Sequence, residues 1–378
     1  MADTTLLLFP EDVIYKILSR LPIKSLARFR CVCKSWLKYI DSPYLRTIHV
    51  KEEPTPLLFQ PFPFVPHKMR ISFLRGVKKD PVLDLCYKTN SYYYNIRFLG
   101  SCNGLILLHF EQQEPYDAGI YRFVVIDPLT KGRHCLPPVS VKIRSESDGP
   151  CRAVGIGFDD STNTFKTVFS FLKKRKVVCT LVHSSGMSLW RKIAQNPAYP
   201  IIGVGVFSDG RLHWLTCDSE ELSEYVYFRK IVWFDVKTEE FGLPMDPPEG
   251  CHPRGPHNGF ASRLVDLNGE VGFVYIGPSS IKLWILKHEE WVLHCSFDLG
   301  PILPEEYFVY KVEVFGCWNK DGDILLTCDG RERLFVYTLK SGDLRQVELY
   351  DPKDGFPYIE MYQSSFLSVN TSAYYYSS

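Results

Sequence analysis

Phe234-Asp-Val-Lys-Thr-Glu-Glu-Phe241, Trp284-Ile-Leu-Lys-His-Glu-Glu-Trp291 and Tyr337-Thr-Leu-Lys-Ser-Gly-Asp-Leu344 are three copies of one pattern. Each runs from an apolar strand through a polar turn to a returning apolar residue, which is a hairpin in sequence form. Weaker copies begin at Ile126 (Ile-Asp-Pro-Leu-Thr-Lys-Gly) and Val182 (Val-His-Ser-Ser-Gly-Met), so the five starts are spaced by 56, 52, 50 and 53 residues. A second element keeps the same rhythm: Asn103-Gly104, Asp209-Gly210, Asn268-Gly269 and Asp321-Gly322, each leading into apolar residues. These dipeptides predict tight type I′ hairpins, because both central residues of that turn need positive φ.

Two hairpins per period of about 50 residues make four strands per repeat, the period of a kelch-like β-propeller. A sandwich has no reason to keep so even a spacing. The fold expected is mainly β, with about six blades. Segments 57–100 and 355–369 are expected to supply the remaining strands and to pair, closing the ring and removing free edges. Composition agrees: an aromatic share of 14%, 25 Gly and 26 Pro suit strands with many tight connections.

Over 378 residues, 44 Lys+Arg stand against 43 Asp+Glu. That balance excludes a uniformly basic nucleic-acid binder and an acidic disordered chain. The twelve cysteines are scattered at a density below that of stapled secreted domains. Met1–Leu8 carries no positive charge, and no apolar run approaches about 18 residues. The expectation is an intracellular protein of the cytoplasm and/or nucleus, with reduced thiols and no membrane contact.

Residues 8–48 differ from everything after them. Pro10 suits a first helical position, with Glu11 and Asp12 in the first turn, where acidic groups complement the macrodipole. Ile14, Leu18 and Leu21 form one apolar stripe, which Leu21-Pro22 ends. A second stripe is Leu26, Phe29 and Val32/Cys33; a third is Trp36, Leu37 and Ile40, with Ser42-Pro43 closing the unit. Three helices in so few residues bury little surface, so this head needs a partner. From Val13 to Ile40 there are seven basic residues (Lys16, Arg20, Lys24, Arg28, Arg30, Lys34, Lys38) and no acidic one. Charge alone leaves open a helix-turn-helix on phosphates, a surface for an acidic protein and a solvated face.

Leu8-Phe9-Pro10-Glu11-Asp12, then Ile17-Leu-Ser-Arg-Leu-Pro22, then Leu26-Ala-Arg-Phe-Arg-Cys-Val-Cys-Lys-Ser-Trp36 closely resembles the F-box, with Phe9 where Leu is usual. The resemblance implies docking on a Skp-family adaptor, and through it on a cullin scaffold of a ubiquitin ligase. Carried over by position, Phe9, Pro10, Ile14, Leu18, Leu21, Pro22, Leu26, Val32 and Trp36 form or support the adaptor face. Each is also readable as simple helix core, with core and interface equal readings for Trp36, Val32 and Leu26, and helix punctuation an equal reading for Pro10 and Pro22.

The body resembles the F-box-associated domain of many plant F-box proteins. Gly100-Ser-Cys-Asn-Gly-Leu-Ile-Leu-Leu108, Val125-Ile-Asp-Pro-Leu-Thr130 and Gly155-Ile-Gly-Phe-Asp-Asp160 match in order and spacing. So do Leu189-Trp-Arg-Lys-Ile193, Gly210-Arg-Leu-His-Trp214 and Val232-Trp-Phe-Asp235. Ile126-Asp127-Pro128 and Phe165-Lys166-Thr167 depart from the usual Trp-Asn-Pro and Tyr-Lys-Val. The resemblance implies a domain that recruits a target protein for ubiquitination, without naming the target. The division expected is 1–48 F-box, 49–97 Pro-rich bridge and first strands, 98–370 propeller and 371–378 disordered tail. In the bridge, five prolines fall within 51–68, and Leu57-Leu58-Phe59 is expected as an edge strand.

Catalytic and metal signals are weak. Cys31-Val-Cys33 is not a zinc pair, since i, i+2 side chains of a helix diverge. Cys251-His252 with His257 lacks a second pair of ligands. His213, beside Trp214, reads as a core histidine. Gly203-Val-Gly205 precedes a strand rather than a helix, and Lys173-Lys-Arg-Lys176 reads as a charged hairpin turn rather than an import signal. No cofactor, metal or catalytic residue is expected. The reading favoured is a non-catalytic substrate receptor of a Skp-cullin-F-box ligase; the alternative is a nucleic-acid-binding regulator using the basic helices. Residues 13–40 contain neither Asn nor Gln to read bases, and a kelch-type enzyme lacks its acid/base cluster. Loops 111–119, 144–151, 217–228 and 246–258 are the candidates for target contact.

Overall fold

The computed structural model of the chain describes residues 9–49, 54–62, 65–75, 78–86, 94–112, 119–129, 131–141, 152–173, 177–216, 230–251, 262–277, 280–298, 312–328, 333–348 and 358–365. Loops 144–151 and 217–228, most of 111–119 and 246–258, and the tail 371–378 lie outside them.

Among the described residues the strands after the helical head form six blades, the second of five strands and the others of four. The first takes β1 (Thr55–Phe62), β2 (Val65–Arg75) and β3 (Lys78–Cys86) from the start of the body. The second is β4 (Tyr94–Cys102), β5 (Leu105–Gln112), β6 (Ile120–Asp127) and β7 (Gly132–Cys135), with β8 (Val139–Ser140) paired onto β6. The third is β9 (Arg152–Asp159), β10 (Thr164–Lys173), β11 (Val177–Ser184) and β12 (Arg191–Lys192). The fourth is β13 (Ile201–Ser208), β14 (Arg211–Thr216), β15 (Ile231–Asp235) and β16 (Glu240–Phe241). The fifth is β17 (Ser262–Leu267), β18 (Glu270–Ile276), β19 (Ser280–Lys287) and β20 (Glu290–Asp298). The sixth is β21 (Glu313–Cys317), β22 (Ile324–Cys328), β23 (Arg333–Thr338) and β24 (Asp343–Val347). The last strand, β25 (Tyr358–Tyr362), returns to β1 and completes the first blade in the order β25-β1-β2-β3.

The turn chemistry explains the hairpins. Asn103 and Gly104 (φ 45° and 81°), Asp209 and Gly210 (47° and 76°), and Asn268 and Gly269 (58° and 91°) adopt the paired positive φ of type I′ turns. Asp321-Gly322 departs from that expectation, because only Gly322 has positive φ. There the side chains of Asn319 and Asp323 hold a wider loop: Asn319 Nδ2 donates to Asp323 Oδ2 (3.0 Å), and the Asp323 amide donates to Asn319 Oδ1 (3.1 Å). The third blade turns without an Asn-Gly or Asp-Gly pair. Asp159 Oδ1 accepts from the Ser161 amide and hydroxyl (3.0 and 2.7 Å), and Asn163 takes φ 54°.

Apolar residues alternate between the two sides of each blade, and both sides are buried. Leu57 and Phe59 face the second blade, while Leu58 faces the sixth. Val124 and Ile126 pack toward the first blade; Phe123 and Val125 pack toward the third. Among the described residues there are six such clusters, one at each junction between neighbouring blades. The core is therefore distributed around the ring.

Leu57-Leu58-Phe59 is not an edge strand. Strand β1 pairs with β25 over Thr55–Phe59 and with β2 over Leu57–Phe62. Its prolines explain how: Pro56 lies where only β25 is paired, and Pro61 where only β2 is paired. Each proline thus needs no donor on its open side. Tyr362 also donates from its hydroxyl to the Gly104 carbonyl (3.0 Å), tying the closing strand to the second blade.

Blades three and four are fused, β9 pairing in parallel with β13 at Ala153/Gly203 and Val154/Val204. The close approach needs glycine. A Cβ at Gly205 would fall 2.6 Å from the Trp214 indole, and one at Gly155 would fall 2.8 Å from it. Trp214 fills that space and donates from Nε1 to the Val154 carbonyl (3.2 Å). On the same junction the buried Lys166 Nζ meets Asp159 Oδ2 (2.9 Å), Glu239 Oε1 (3.0 Å) and the Val236 carbonyl (2.7 Å). Burial alone raises the pKa of both carboxyls. At Asp159 the hydrogen bonds from Ser161, Lys166 and Thr162 outweigh it, and at Glu239 those from Arg191 and Lys166 do, so both are held below their ordinary range.

Strand direction sorts the connections. The tight turns, such as 103–104, 209–210 and 268–269, lie on one face of the ring. The strand ends that flank 113–118, 142–151, 217–229 and 252–261 lie on the other. The chain enters β1 at Thr55 on the tight-turn face.

Two outcomes test this frame. Lys166→Met leaves the buried Asp159 without its cation, while Glu239 keeps Arg191, and is expected to lower stability by about 3–5 kcal/mol in denaturant unfolding. Because the folded-state pKa values of Asp159 and Glu239 are depressed, their contribution is present above the ordinary carboxylate range and lost as pH falls below it. Melting temperatures of the parent are expected to fall from pH 5 to pH 3 (roughly spanning that range), and Lys166→Met is expected to flatten that fall. Separately, Ile359→Ala, at a fully buried position of the closing strand, is expected to cost about 2–5 kcal/mol by the same unfolding assay.

Candidate functional site

The head is built from α1 (Glu11–Leu18), α2 (Ile23–Phe29) and α3 (Lys34–Ile40), followed by a fourth short helix, α4 (Pro43–Ile48). Ser42-Pro43 therefore does not close the unit. Ser42 Oγ accepts from the Tyr44 amide (3.2 Å) and Pro43 occupies the first turn, so the pair starts α4. Cys31 and Val32 fall in the turn between α2 and α3 rather than in a helix, and Cys33 caps α3, its Sγ accepting from the Trp36 amide at 3.5 Å.

Ile14, Leu18, Leu26, Ile40 and Leu45 make the core of this module. Tyr15, Leu21, Phe29, Trp36 and Tyr39 pack around it half-buried. Phe29 meets Trp36 edge-on (centroids 4.9 Å apart), and Tyr15 meets both Tyr39 and Tyr44 at 5.4 and 5.0 Å. Arg30 grips Asp41 with two parallel bonds, Nε to Oδ1 at 2.8 Å and Nη2 to Oδ2 at 3.0 Å. One of the seven basic residues thus serves the fold, while Lys16, Arg20, Lys24, Arg28, Lys34 and Lys38 are exposed.

The nine residues expected at the adaptor face divide in two. Leu18 and Leu26 are buried (1% and 0% exposed), as is Ile14; Leu21 and Trp36 are half-buried. These support the surface from beneath. Pro10 and Pro22 are exposed, and Phe9 and Val32 are 59% and 65% exposed, unusual for large apolar residues. The structure adds Val13, Ile17, Leu37 and Tyr44 to the exposed apolar set. Val13 and Ile17 are spaced by four on α1, beside the buried Ile14/Leu18 pair, and Phe9 lies just before the helix. Two adjacent i, i+4 apolar rows on so short a helix are the sequence signal for it.

The ring places the remaining candidates. His213 is buried in β14, its Nδ1 3.4 Å from the Val206 carbonyl oxygen, and burial pushes its pKa down to about 4. Cys251 is buried and its thiol is pushed up to about 11 by burial; His252 and His257 lie outside the described residues. Among the described residues no group of three or more His, Cys, Asp and Glu could hold a metal ion. Gly203 and Gly205 belong to β13. Lys173 pairs with Val177 across the β10–β11 hairpin, with 174–176 outside the described residues. On the ring axis a cavity of about 110 Å³ is lined by Phe98, Val206, Arg263, Asp266, Phe315 and Glu360, among others.

Leu26→Ala is expected to cost about 2–5 kcal/mol in the head and to remove helical signal in the far-ultraviolet while the ring still unfolds at its own temperature. A single unchanged transition would show that Leu26 is not core.

Comparison with known proteins follows the same division. The family described as the F-box domain matches residues 6–47, and the F-box associated beta propeller domain matches residues 68–371. F-box protein At5g49610 of Arabidopsis thaliana is 31% identical, covering 77% of this chain and 79% of its own length. F-box/kelch-repeat protein At3g23880 of the same plant is 25% identical, covering 88% of both chains. F-box protein At1g52495, also from Arabidopsis thaliana, is 26% identical over 90% of this chain and 80% of its own.

Proposed function

We propose that this chain, which belongs to the family of F-box proteins carrying an F-box-associated β-propeller domain, is the target-recognition subunit of a Skp-cullin-F-box ubiquitin ligase. The observation that carries the reading is the exposure of Phe9, Val13, Ile17, Val32, Leu37 and Tyr44. They are a set of exposed large apolar side chains on a module whose own core is five residues. Such a set on a soluble surface marks a protein interface. The basic residues beside it suit an acidic protein partner and steer its approach.

The ring is the second half of the proposal. It is tethered to the head at its tight-turn face, so its loop face is free to hold a target. The mechanism is positional. The head fixes the chain on the Skp-family adaptor, and the ring holds a target so that its lysines meet a ubiquitin-charged enzyme at high effective concentration. No side chain of this chain needs to be a nucleophile. The cytoplasm and nucleus are the compartments such a ligase would serve.

A pull-down on a Skp-family adaptor tests the head. Pro10→Ala/Leu18→Ala is expected to weaken binding, but Leu18 is core and its loss also unfolds the head. Val13→Asp/Ile17→Asp changes only exposed positions, so it is expected to keep helical signal and weaken adaptor binding by at least about tenfold. Full adaptor binding by that folded variant sinks the assignment.

A further inference from the structure

Two lysines of the head stand where a helix gains nothing from them. Lys24 falls in the first turn of α2, and Lys34 is the first residue of α3. Neither helix has an acidic residue in its first turn, so both cations oppose the macrodipole, which favours negative charge there. Each lysine also has a second cation four residues on, Arg28 after Lys24 and Lys38 after Lys34. Residues so spaced are neighbours on a helix surface, and like charges there repel. All four side chains are exposed, whereas Ile23 and Leu26 of α2 and Ile40 of α3 are buried. Among the described residues none of the four has an ion-pair partner.

The head does not supply the counter-charge. Asp41 is held by Arg30, and Glu11 accepts from the Tyr39 hydroxyl at 3.2 Å. Residues 1–53 hold nine Lys+Arg against six Asp+Glu, so the excess stays positive with every acid of that stretch counted. The four cations therefore weaken the helices that carry them and gain nothing back within the head. An acidic surface brought by a partner supplies what this stretch lacks. Leu37, 37% exposed, directly precedes Lys38, so on α3 the cations adjoin the exposed apolar set.

We propose that Lys24, Arg28, Lys34 and Lys38 meet an acidic surface of the Skp-family adaptor and set how fast it is captured, while the exposed apolar side chains set how long it is held. The inference rests on the ligase reading and deepens it. It divides docking between charge and apolar contact, and it names residues that serve the partner against the stability of their own helices. Charge attraction acts before contact and so governs association, whereas buried apolar surface acts after contact and governs dissociation. Of two adaptors with the same apolar surface, the more acidic is captured faster.

The test uses the full chain and a Skp-family adaptor, with association and dissociation followed by surface plasmon resonance at low and at physiological salt. Wild type is expected to associate at least about tenfold more slowly at the higher salt, with little change in dissociation. Lys24→Glu/Lys34→Glu is expected to raise the melting temperature of the helical signal in the far-ultraviolet. The same variant is expected to associate at least about tenfold more slowly at low salt, with dissociation changed by less than about threefold. Lys24→Arg/Lys34→Arg keeps the charge and is expected to keep the wild-type rate. A glutamate pair that melts below wild type shows that the lysines serve the fold and overturns the proposal, as does one that associates at the wild-type rate. Wild type that holds the adaptor with a salt-independent association rate overturns the proposal and leaves the ligase reading standing. Wild type that fails to hold the adaptor overturns both. A DNA duplex of about 20 base pairs that binds more tightly than the adaptor at physiological salt overturns the choice of an acidic protein.

Discussion

The pairing of Thr55–Phe59 with Tyr358–Tyr362 is the contact on which the rest of the ring depends. Each blade buries both of its sides, so no blade is stable at an open end. Here the first blade takes strands from both termini of the body, which leaves the ring of six no open end. Once β25 lies on β1, the sixth blade has a neighbour for Phe315, Leu325 and Val336, and the first has a partner for Leu58 and Ile359. Because the strands that meet are about 300 residues apart in sequence, closure carries a large chain-entropy cost, although that cost grows only slowly with loop length. Six junction clusters acting together offset it.

Inside the ring, space near the axis sets which residues are tolerated. The inner strands approach closely enough that Gly155 and Gly205 lie against Trp214, where any side chain would displace the indole. The Lys166 group solves a different problem at the same junction. It ties the turn after β9 to the turn after β15 through a buried cation with three acceptors. A lysine so placed is costly unless all its donors are satisfied, and here they are.

The two faces of the ring divide the labour of the molecule. Short turns with positive φ leave little reach on one face, and the chain from the helical head enters there. The strand ends that flank the longer connections lie on the other face. The head shows a parallel economy: Ile14, Leu18 and Leu26 hold it together, while Phe9, Val13 and Ile17 stay outside. A partner reading that outer set would touch residues whose loss does not unfold the module.

Much of this was legible in the residues. The period of about 50, the Asn-Gly turns and the eight-residue hairpin are local patterns, and local backbone preference determines them without the rest of the chain. The helices of the head were legible for the same reason, since capping and i, i+4 spacing act within a few residues. The third-blade turn at Asp159–Asn163 escaped notice because a side-chain carboxylate replaces the usual dipeptide. The position of Leu57-Leu58-Phe59 inside a blade, the fourth helix after Ser42 and the meeting of Lys166 with Glu239 were likewise hidden. Each depends on partners far away in sequence, or on which of two neighbouring apolar rows finds something to bury against. Repeat, turn and motif belong to the sequence alone. Closure and the exposed apolar residues of the head were decided by packing, because only the folded chain settles which surfaces remain after its cores are filled.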